Sequence, residues 1–132
     1  EDALSATKGT GVVMPTASGR YLIEDESTDL ETRLRDLMGT DIAAVTGLTH
    51  ARVVISISGE KAEWVLSSLI AMEFSSHAFP VGHVAVSHHH EIGVTIRRFA
   101  ADSFDLYVFT SYAHGFWHAV TTAAQEVGYS VA

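Results

Sequence analysis

The histidines are the residues of this sequence whose type and spacing could do chemistry. The chain has eight of them in 132 residues, and His88, His89 and His90 are consecutive. If this segment is a β-strand, His88 and His90 point to one face and His89 to the other. His114 and His118 are four residues apart, which places two imidazoles on one side of a helix. If that strand packed on that helix, His88, His90, His114 and His118 could converge as ligands of a transition metal.

A structural interpretation of the histidines competes with the metal site. There is no HExxH motif, no cysteine and no carboxylate at a characteristic interval, so nothing in the spacing fixes a ligand geometry. Half-buried histidines at a sheet surface or a subunit contact would give the same pattern. A cluster that changes charge near neutral pH would also fit. We therefore expect no metal in this chain, and we keep a histidine-based metal-binding module as the alternative.

Other catalytic signatures are not apparent in the sequence. Gly9 and Gly11 lack the third glycine and the strand-to-helix context of a phosphate-binding loop. Ser56 and Ser58 are not surrounded by a nucleophile elbow. The carboxylates from Glu24 to Glu31 are typical of a solvated face and a helix start rather than of a paired acid and base. We expect no catalytic residue and no cofactor-binding residue in this chain.

The adjacent arginines Arg97 and Arg98 alternate on a predicted strand, so only one of them can face inward. Either could pair with Asp102 or Asp105, because a guanidinium readily forms a bidentate ion pair with a nearby carboxylate. Either could instead contact a carboxylate of a partner subunit. We favour the structural pairing and keep Arg97 as a candidate partner contact.

Two further residues are candidate partner contacts. Trp117 is next to Phe116 and therefore lies off the predicted buried stripe of its helix, and large exposed aromatic residues are typical anchors of interfaces. His89 is the histidine of the triplet that the alternation sets apart from its two neighbours. The aromatic residues at helical spacing are otherwise more typical of a core.

Composition limits the classes of partner. The formal net charge is −8 and the eight Lys and Arg residues form no cluster beyond Arg97 and Arg98, so nucleic acid is not expected as a partner. No apolar run approaches the ~20 residues that span a bilayer, and no signal segment is visible. The chain has no cysteine, which suits a reducing compartment. We expect a cytoplasmic protein without a membrane partner and, since the first residue is Glu1, a trimmed form of a longer one.

The chain divides into an N-terminal arm, residues 1–40, and an α+β domain, residues 41–132. Residues 1–19 are rich in Ser, Thr, Gly and Ala around Pro15 and predict an extended, poorly packed segment. A short β-like run follows at Tyr21–Ile23. A helix capped by Ser27, Thr28 or Asp29 would then continue to Met38 and end at Gly39.

Residues 41–132 predict a ββαβββα order. The hydrophobic patterns place strands at Ile42–Leu48, Ala51–Ser58, His83–Glu91, Val94–Phe99 and Phe104–Ser111, and helices at Ala62–Ile70 and Ala113–Val127. Gly93 marks the turn between the third and fourth strands, and Gly128 ends the last helix. A mostly antiparallel sheet with helices on one face follows from this order, and we expect a single α+β domain.

Several stretches resemble the sarcosine oxidase gamma-subunit family, which is related to the folate-binding T-protein of glycine cleavage. They are VTGLTHARVVISISGEKAEWVLSSL, HAFPVGHVAVS, VTIRRF and DSFDLYVFTSYAHGFWHAVTTAAQEVG. The matching features are the Ser58-Gly59 step before a helix with Leu66–Leu69, the Phe79-Pro80-x-Gly82 turn, the Phe104-x-Leu106-x-Val108 strand and Phe116-Trp117 near a helix start. These are packing features rather than catalytic motifs.

The resemblance implies a glycine-cleavage T-protein-like fold and a place in a heterotetramer. In that family the complex demethylates sarcosine oxidatively to glycine, reduces oxygen to hydrogen peroxide and passes the one-carbon unit to tetrahydrofolate. The alpha subunit carries NAD and the folate site, the beta subunit carries FAD, FMN and the substrate site, and the delta subunit binds zinc. The gamma subunit has no assigned catalytic residue. An independent folate-binding T-protein-like domain is the second alternative.

Overall fold

Four strands with alternating apolar side chains form the central sheet of this protein. The computed structural model describes residues 12–24, 32–36 and 51–131, and every structural statement below refers to these residues. The elements are β1 (Val12–Ala17), β2 (Arg20–Glu24), α1 (residues 32–36), β3 (Arg52–Ser58), α2 (Ala62–Leu69), β4 (Val84–His89), β5 (Ile92–Ala100), β6 (Ser103–Phe109), a short 3₁₀ turn (Thr110–Tyr112) and α3 (Ala113–Ala124). No helix within these ranges is long and apolar enough to cross a membrane.

The central sheet has the strand order β3-β6-β5-β4, and its pairings are antiparallel. Strand β3 shows why these residues form a sheet with one buried face. Ile55 is buried and Val53 and Ile57 pack against the same core, whereas Val54 and Ser56 between them are exposed. This alternation is the one expected from the sequence, and it is confirmed.

Helices α2 and α3 cover one face of the sheet, which we call the helix face. The core between sheet and helices contains Leu66 from α2, Phe116 and Val120 from α3, and Ile96 and Leu106 from the strands. Each of these side chains is 5% exposed or less. The expected α+β class, with a mostly antiparallel sheet and helices on one face, is confirmed.

Two expected elements lie partly or wholly outside the described residues. The predicted strand Ile42–Leu48, and with it the hairpin that it would form with β3, falls outside them. Of the predicted helix that continues to Met38, residues 32–36 are described and are helical. The division of the chain at residue 40 stays a prediction.

The turn between β4 and β5 is not at Gly93, as the sequence suggested. Gly93 is a strand residue paired with His88, and the two-residue turn is His90-Glu91. His90 adopts a φ of 55°, in the left-handed region that His occupies more readily than most non-glycine residues. The prediction was wrong because a glycine is the commonest residue at such a position but not the only one.

The segment 1–19 is not a poorly packed arm over its described part. Strands β1 and β2 pair antiparallel in a second, two-stranded sheet. Pro15 is tolerated there because the ladder shifts register between Pro15 and Ala17, and proline is compatible with edge strands and bulges. Met14 is fully buried against Tyr107, with Leu22 and Val84 beside them.

The β1–β2 hairpin therefore packs on the face of the central sheet opposite the helices, which we call the hairpin face. Tyr107 and Val84 belong to this face, since their neighbours Leu106 and Ala85 point into the helix-face core. The Tyr107 hydroxyl donates a hydrogen bond of 2.8 Å to the Glu24 carboxylate at the end of β2. This bond and the burial of Met14 hold the hairpin on the sheet.

A buried arginine connects the segment after α2 and the turn after β5 to the sheet. Arg98 is 2% exposed, and all three nitrogens of its guanidinium donate hydrogen bonds. Its Nε and one terminal nitrogen donate to the Ala101 carbonyl at 3.1 and 2.7 Å, and the other terminal nitrogen donates to the carbonyls of Phe74 and Phe79 at 3.0 and 2.7 Å. The Glu63 carboxylate of α2 accepts the remaining bond at 2.6 Å. Arg98 is thus the inward-facing member of the arginine pair, and its partner is neither Asp102 nor Asp105.

We expect Arg98→Met to lower the free energy of unfolding by about 3 kcal/mol or more, because it leaves several carbonyl groups without a donor. Glu63→Gln is the matched control. Its side chain is 42% exposed and glutamine keeps an oxygen that can accept from Arg98, so this variant should lose less free energy of unfolding than Arg98→Met. Urea denaturation of both variants measures this, and equal losses would contradict the role assigned to the carbonyl contacts.

The stability of the protein should also depend on the Tyr107 hydroxyl at alkaline pH. Burial, the hydrogen bond to the Glu24 carboxylate and the negative charges of Glu24 and Asp105 raise the pKa of Tyr107 above its ordinary value of 10.0. The folded state therefore holds this proton more tightly than the unfolded state. The resulting stabilisation is complete below pH 10 and is lost as the pH rises toward the folded-state pKa.

Tyr107→Phe should accordingly cost about 1 kcal/mol near neutral pH, and its deficit relative to wild type should shrink above about pH 10. Tyr112→Phe is the control, since Tyr112 is 45% exposed. Unfolding curves of the three proteins between pH 7 and 11 measure the difference. A deficit for Tyr107→Phe that stays constant with pH would contradict the account.

Candidate interaction surface

The hairpin face carries a polar row that crosses three strands. Ser56 and Arg97 are the register partners of Asp105 on its two sides. The Ser56 hydroxyl donates to one carboxylate oxygen of Asp105 at 2.6 Å, and Arg97 donates to the other at 3.1 Å. The side chains of Arg97 and Asp105 are 13% and 14% exposed. The sequence favoured a structural pairing of Arg97 or Arg98 with Asp102 or Asp105, and the pair that forms is Arg97 with Asp105. Asp105 is held by two donors rather than free to act as a base.

A second arginine on the same face has a different environment. Arg52 opens β3 and lies opposite Phe109, with its guanidinium carbon 4.6 Å from the centroid of the Phe109 ring. The Arg52 Nε is buried and has no hydrogen-bond partner. Burial lowers the pKa of Arg52 from its ordinary value. This arginine is desolvated in part, stacked on an aromatic ring and not paired with any carboxylate of the described residues.

Exposed apolar side chains adjoin Arg52. Val54 is 41% exposed and Phe109 is 43% exposed, and both share its face of the sheet. We call Arg52, Val54 and Phe109 the Arg52 patch. The patch adjoins the area of the sheet that the hairpin covers. The hairpin buries Tyr107 on β6, whereas Val54, the register partner of Tyr107 on β3, is exposed.

The helix face carries exposed aromatic residues of its own. Trp64 on α2 and Trp117 on α3 are 45% and 40% exposed, and Tyr112 before α3 is 45% exposed. The sequence placed Trp117 off the buried stripe, and this position is confirmed. Phe74, Phe79 and Phe104 instead form a buried cluster with ring centroids 6.0 to 6.3 Å apart. Contact of Trp117 with a partner stays a prediction.

The four histidines considered as metal ligands are not brought together. His88 alternates with His89 and so lies on the hairpin face, whereas His114 and His118 are exposed on α3, on the helix face. His90 is in the turn rather than in the strand. Within residues 12–24, 32–36 and 51–131, no group of three His, Asp or Glu side chains could hold a metal ion. Convergence would require His88 to lie on the face of the sheet that α3 covers, and it lies on the opposite face.

His89 has a structural environment. Its Nδ1 lies 2.8 Å from the carbonyl oxygen of Leu69, which can only accept, so Nδ1 carries the proton and donates. Its ring packs edge-on against His90 and Phe116, with centroids 4.4 and 6.2 Å away. His89, the last residue of β4, thereby contacts both the end of α2 and α3. The expected partner contacts of His89 and Arg97 stay predictions.

A shallow cleft of about 340 Å³ lies between the start of α2 and the end of α3. Gly59, Ala62, Val65 and Val127 contribute to its lining, and its charged residues, Glu60 and Lys61, are exposed. The cleft gives no reason to assign chemistry to it.

The Arg52 patch is the feature that the sequence interpretation missed. In the sequence Arg52 is simply the residue that opens a strand. The available signal was Val54, the second residue on a strand face whose other residues are Arg52, Ser56 and Ser58. The stacking of Arg52 on Phe109 requires the register of β3 with β6, which the sequence did not supply.

Comparison with known proteins agrees with the fold and with the packing motifs. A search among curated protein sequences finds no match. The structure is similar to a chain of the heterotetrameric sarcosine oxidase from Corynebacterium sp. U-96, solved in complex with pyrrole 2-carboxylate. The two have a TM-score of 0.78 and 20% sequence identity over 99% of this chain and 72% of that one, a likeness that shows the fold. A model of the family described as "Sarcosine oxidase, gamma subunit family" matches residues 11–126, so the chain belongs to the sarcosine oxidase gamma subunit family.

Proposed function

We propose that this chain is the gamma subunit of a heterotetrameric flavoenzyme that demethylates sarcosine or a related N-methyl amino acid. Its partners are the alpha, beta and delta subunits. FAD, FMN, NAD, zinc and tetrahydrofolate are bound by those partners, and this chain supplies no reacting group. The observation that carries the proposal is the family match over residues 11–126, which includes every element of the described fold.

The use of the polar side chains supports a structural role. Arg98 donates to backbone carbonyls and Glu63, Asp105 is held by Ser56 and Arg97, and Tyr107 holds the hairpin. These groups stabilise the chain's own fold. Catalytic groups, in contrast, are usually left partly unsatisfied and poised in a cleft.

The exposed aromatic residues on both faces support a position between larger subunits. Trp64 and Trp117 lie on the helix face, and Phe109 lies on the hairpin face. Aromatic residues are enriched among the residues that dominate binding energy at interfaces. A small domain with such residues on two opposite surfaces is suited to contact neighbours on both sides.

The chemistry of the complex gives a reason for such a subunit. Two-electron oxidation of an N-methyl amine by flavin gives an iminium ion, which water hydrolyses to formaldehyde and the free amine. Transfer of the one-carbon unit to tetrahydrofolate requires that this water be kept away. We propose that the gamma subunit packs on the T-protein-like part of the alpha subunit and helps to close the cavity in which the intermediate is held.

Co-expression with its genomic neighbours tests the proposed function. We expect this chain, carrying an affinity tag, to co-elute in size-exclusion chromatography with large subunits that show flavin absorbance. The tag alone, expressed beside the same subunits, is the control. Elution of the chain as a stable monomer beside an intact and active flavoenzyme would refute the assignment.

Substitution of Trp117 tests its expected contact with a partner. We expect Trp117→Ala to weaken the association with the flavin-containing subunits by about tenfold, since truncation of an interface aromatic residue typically costs more than 1 kcal/mol. Thr122→Ala is the control, because Thr122 is exposed on the same helix. The dissociation constants of the two variants and of wild type measure the effect, and three equal values would exclude Trp117 from the contact.

A further inference from the structure

We propose that the Arg52 patch docks a segment of a companion subunit that presents a carboxylate next to an apolar side chain. The proposal rests on the proposed function, since it assumes that the chain works inside a complex. It concerns a different surface from the helix-face residue Trp117. The surface consists of Arg52, Val54 and Phe109, on the hairpin face beside the β1–β2 hairpin.

The comparison of two arginines on this face shows what Arg52 lacks. Arg97 is 3.1 Å from the Asp105 carboxylate, which neutralises it. Each guanidinium also lies over a phenylalanine ring, Arg97 over Phe99 at 5.3 Å and Arg52 over Phe109 at 4.6 Å, and each has a buried Nε without a partner. Arg52, two strands away in the same sheet, differs in that it has no carboxylate among the described residues. The lowered pKa of Arg52 reflects the same condition, since burial disfavours its charged form and no opposite charge compensates.

The geometry of Arg52 favours a carboxylate as the missing partner. Stacking on Phe109 restricts the side chain before any partner arrives, which reduces the entropy lost on binding. The Arg52 Nε is buried without an acceptor, and the terminal nitrogens are not among the buried polar atoms that lack a partner. Those terminal N–H groups can donate in parallel to the two oxygens of a carboxylate, which is the acceptor that best matches a guanidinium.

The neighbours of Arg52 define the rest of the ligand. Val54 and Phe109 are about two-fifths exposed and lie on adjacent strands of the same face. Single exposed apolar residues are ordinary, but an arginine stacked on an aromatic ring beside an exposed valine has the composition of an interface hot spot. An apolar side chain flanking the carboxylate would cover this surface and exclude water from the ion pair.

Charge favours a companion subunit over a second copy of this chain. The net charge of −8 makes two copies repel each other, and one arginine in each does not offset this repulsion. It also disfavours nucleic acid, whose phosphates would otherwise suit an arginine. A companion subunit does not have to carry this net charge, so a carboxylate on it can pair with Arg52 without the repulsion between identical chains.

Charge reversal at Arg52 in the co-expressed complex tests the proposal. We expect Arg52→Glu to raise the dissociation constant between this chain and the flavin-containing subunits encoded beside it by about tenfold or more. Lys61→Glu is the matched control, because it makes the same charge change at an exposed residue before α2, on the helix face. It should leave the dissociation constant within about twofold of wild type.

A second measurement keeps the test valid if Arg52→Glu fails to fold, as judged by its thermal unfolding. Arg52→Gln keeps most of the side-chain stem and removes the charge. Association of wild type should weaken more steeply with added sodium chloride than association of Arg52→Gln, since salt screens the ion pair that only wild type has. Identical salt dependence would overturn the proposal.

The outcomes separate this proposal from the proposed function. If wild type and Arg52→Glu bind the flavin-containing subunits equally, the Arg52 patch is not the docking surface, while the function stands. If isolated wild type forms dimers that Arg52→Glu abolishes, the patch binds a second copy and the proposal is wrong. If wild type binds no flavin-containing subunit, the proposed function fails and this inference fails with it.

Discussion

The buried guanidinium of Arg98 is the interaction on which the rest of the fold depends. An arginine that is 2% exposed would be strongly unfavourable unless all its donors were used, and each of its three nitrogens has an acceptor. Those acceptors come from the segment after α2, from the turn after β5 and from Glu63 in α2. One side chain thereby sets the position of α2 and its following loop against the sheet, and its guanidinium carbon lies 4.9 Å from the centroid of the Phe104 ring.

The two faces of the central sheet are stabilised by different means. The helix face is closed by apolar packing of α2 and α3, which is not directional. The hairpin face combines the burial of Met14 with directional contacts, the Tyr107–Glu24 hydrogen bond and the Ser56–Asp105–Arg97 row. Because the hairpin covers this face incompletely, Arg52, Val54 and Phe109 remain available for a partner. The part of this face that the hairpin leaves exposed is the surface on which we propose that a companion subunit docks.

The fold was largely predictable from the sequence, whereas the candidate surface was not. The stripe Phe116, Val120 and Ala124 follows the helical period, and the alternation in β3 follows the strand period, so both could be recognised from residues close together in the chain. The partners of Arg98 could not, since Glu63 is 35 residues away and the other acceptors of Arg98 are three backbone carbonyls, which have no sequence signature. The histidines illustrate the same difference between a local pattern and a tertiary contact. Their spacing was compatible with a shared site, but whether a strand face and a helix face coincide is decided by the packing of the whole sheet.

The sequence by itself determined the order of the elements from β3 to α3, the side of each that is apolar, and the packing motifs shared with the family. It could do so because side-chain periodicity and turn preference act over a few residues. The tertiary structure alone decided that the segment around Met14 packs on the sheet, that Asp105 pairs with Arg97, and that Arg52 is left with an aromatic neighbour and no carboxylate. Most of these contacts join residues far apart in the chain, and all of them depend on strand register and on which surfaces meet, which local preferences do not specify.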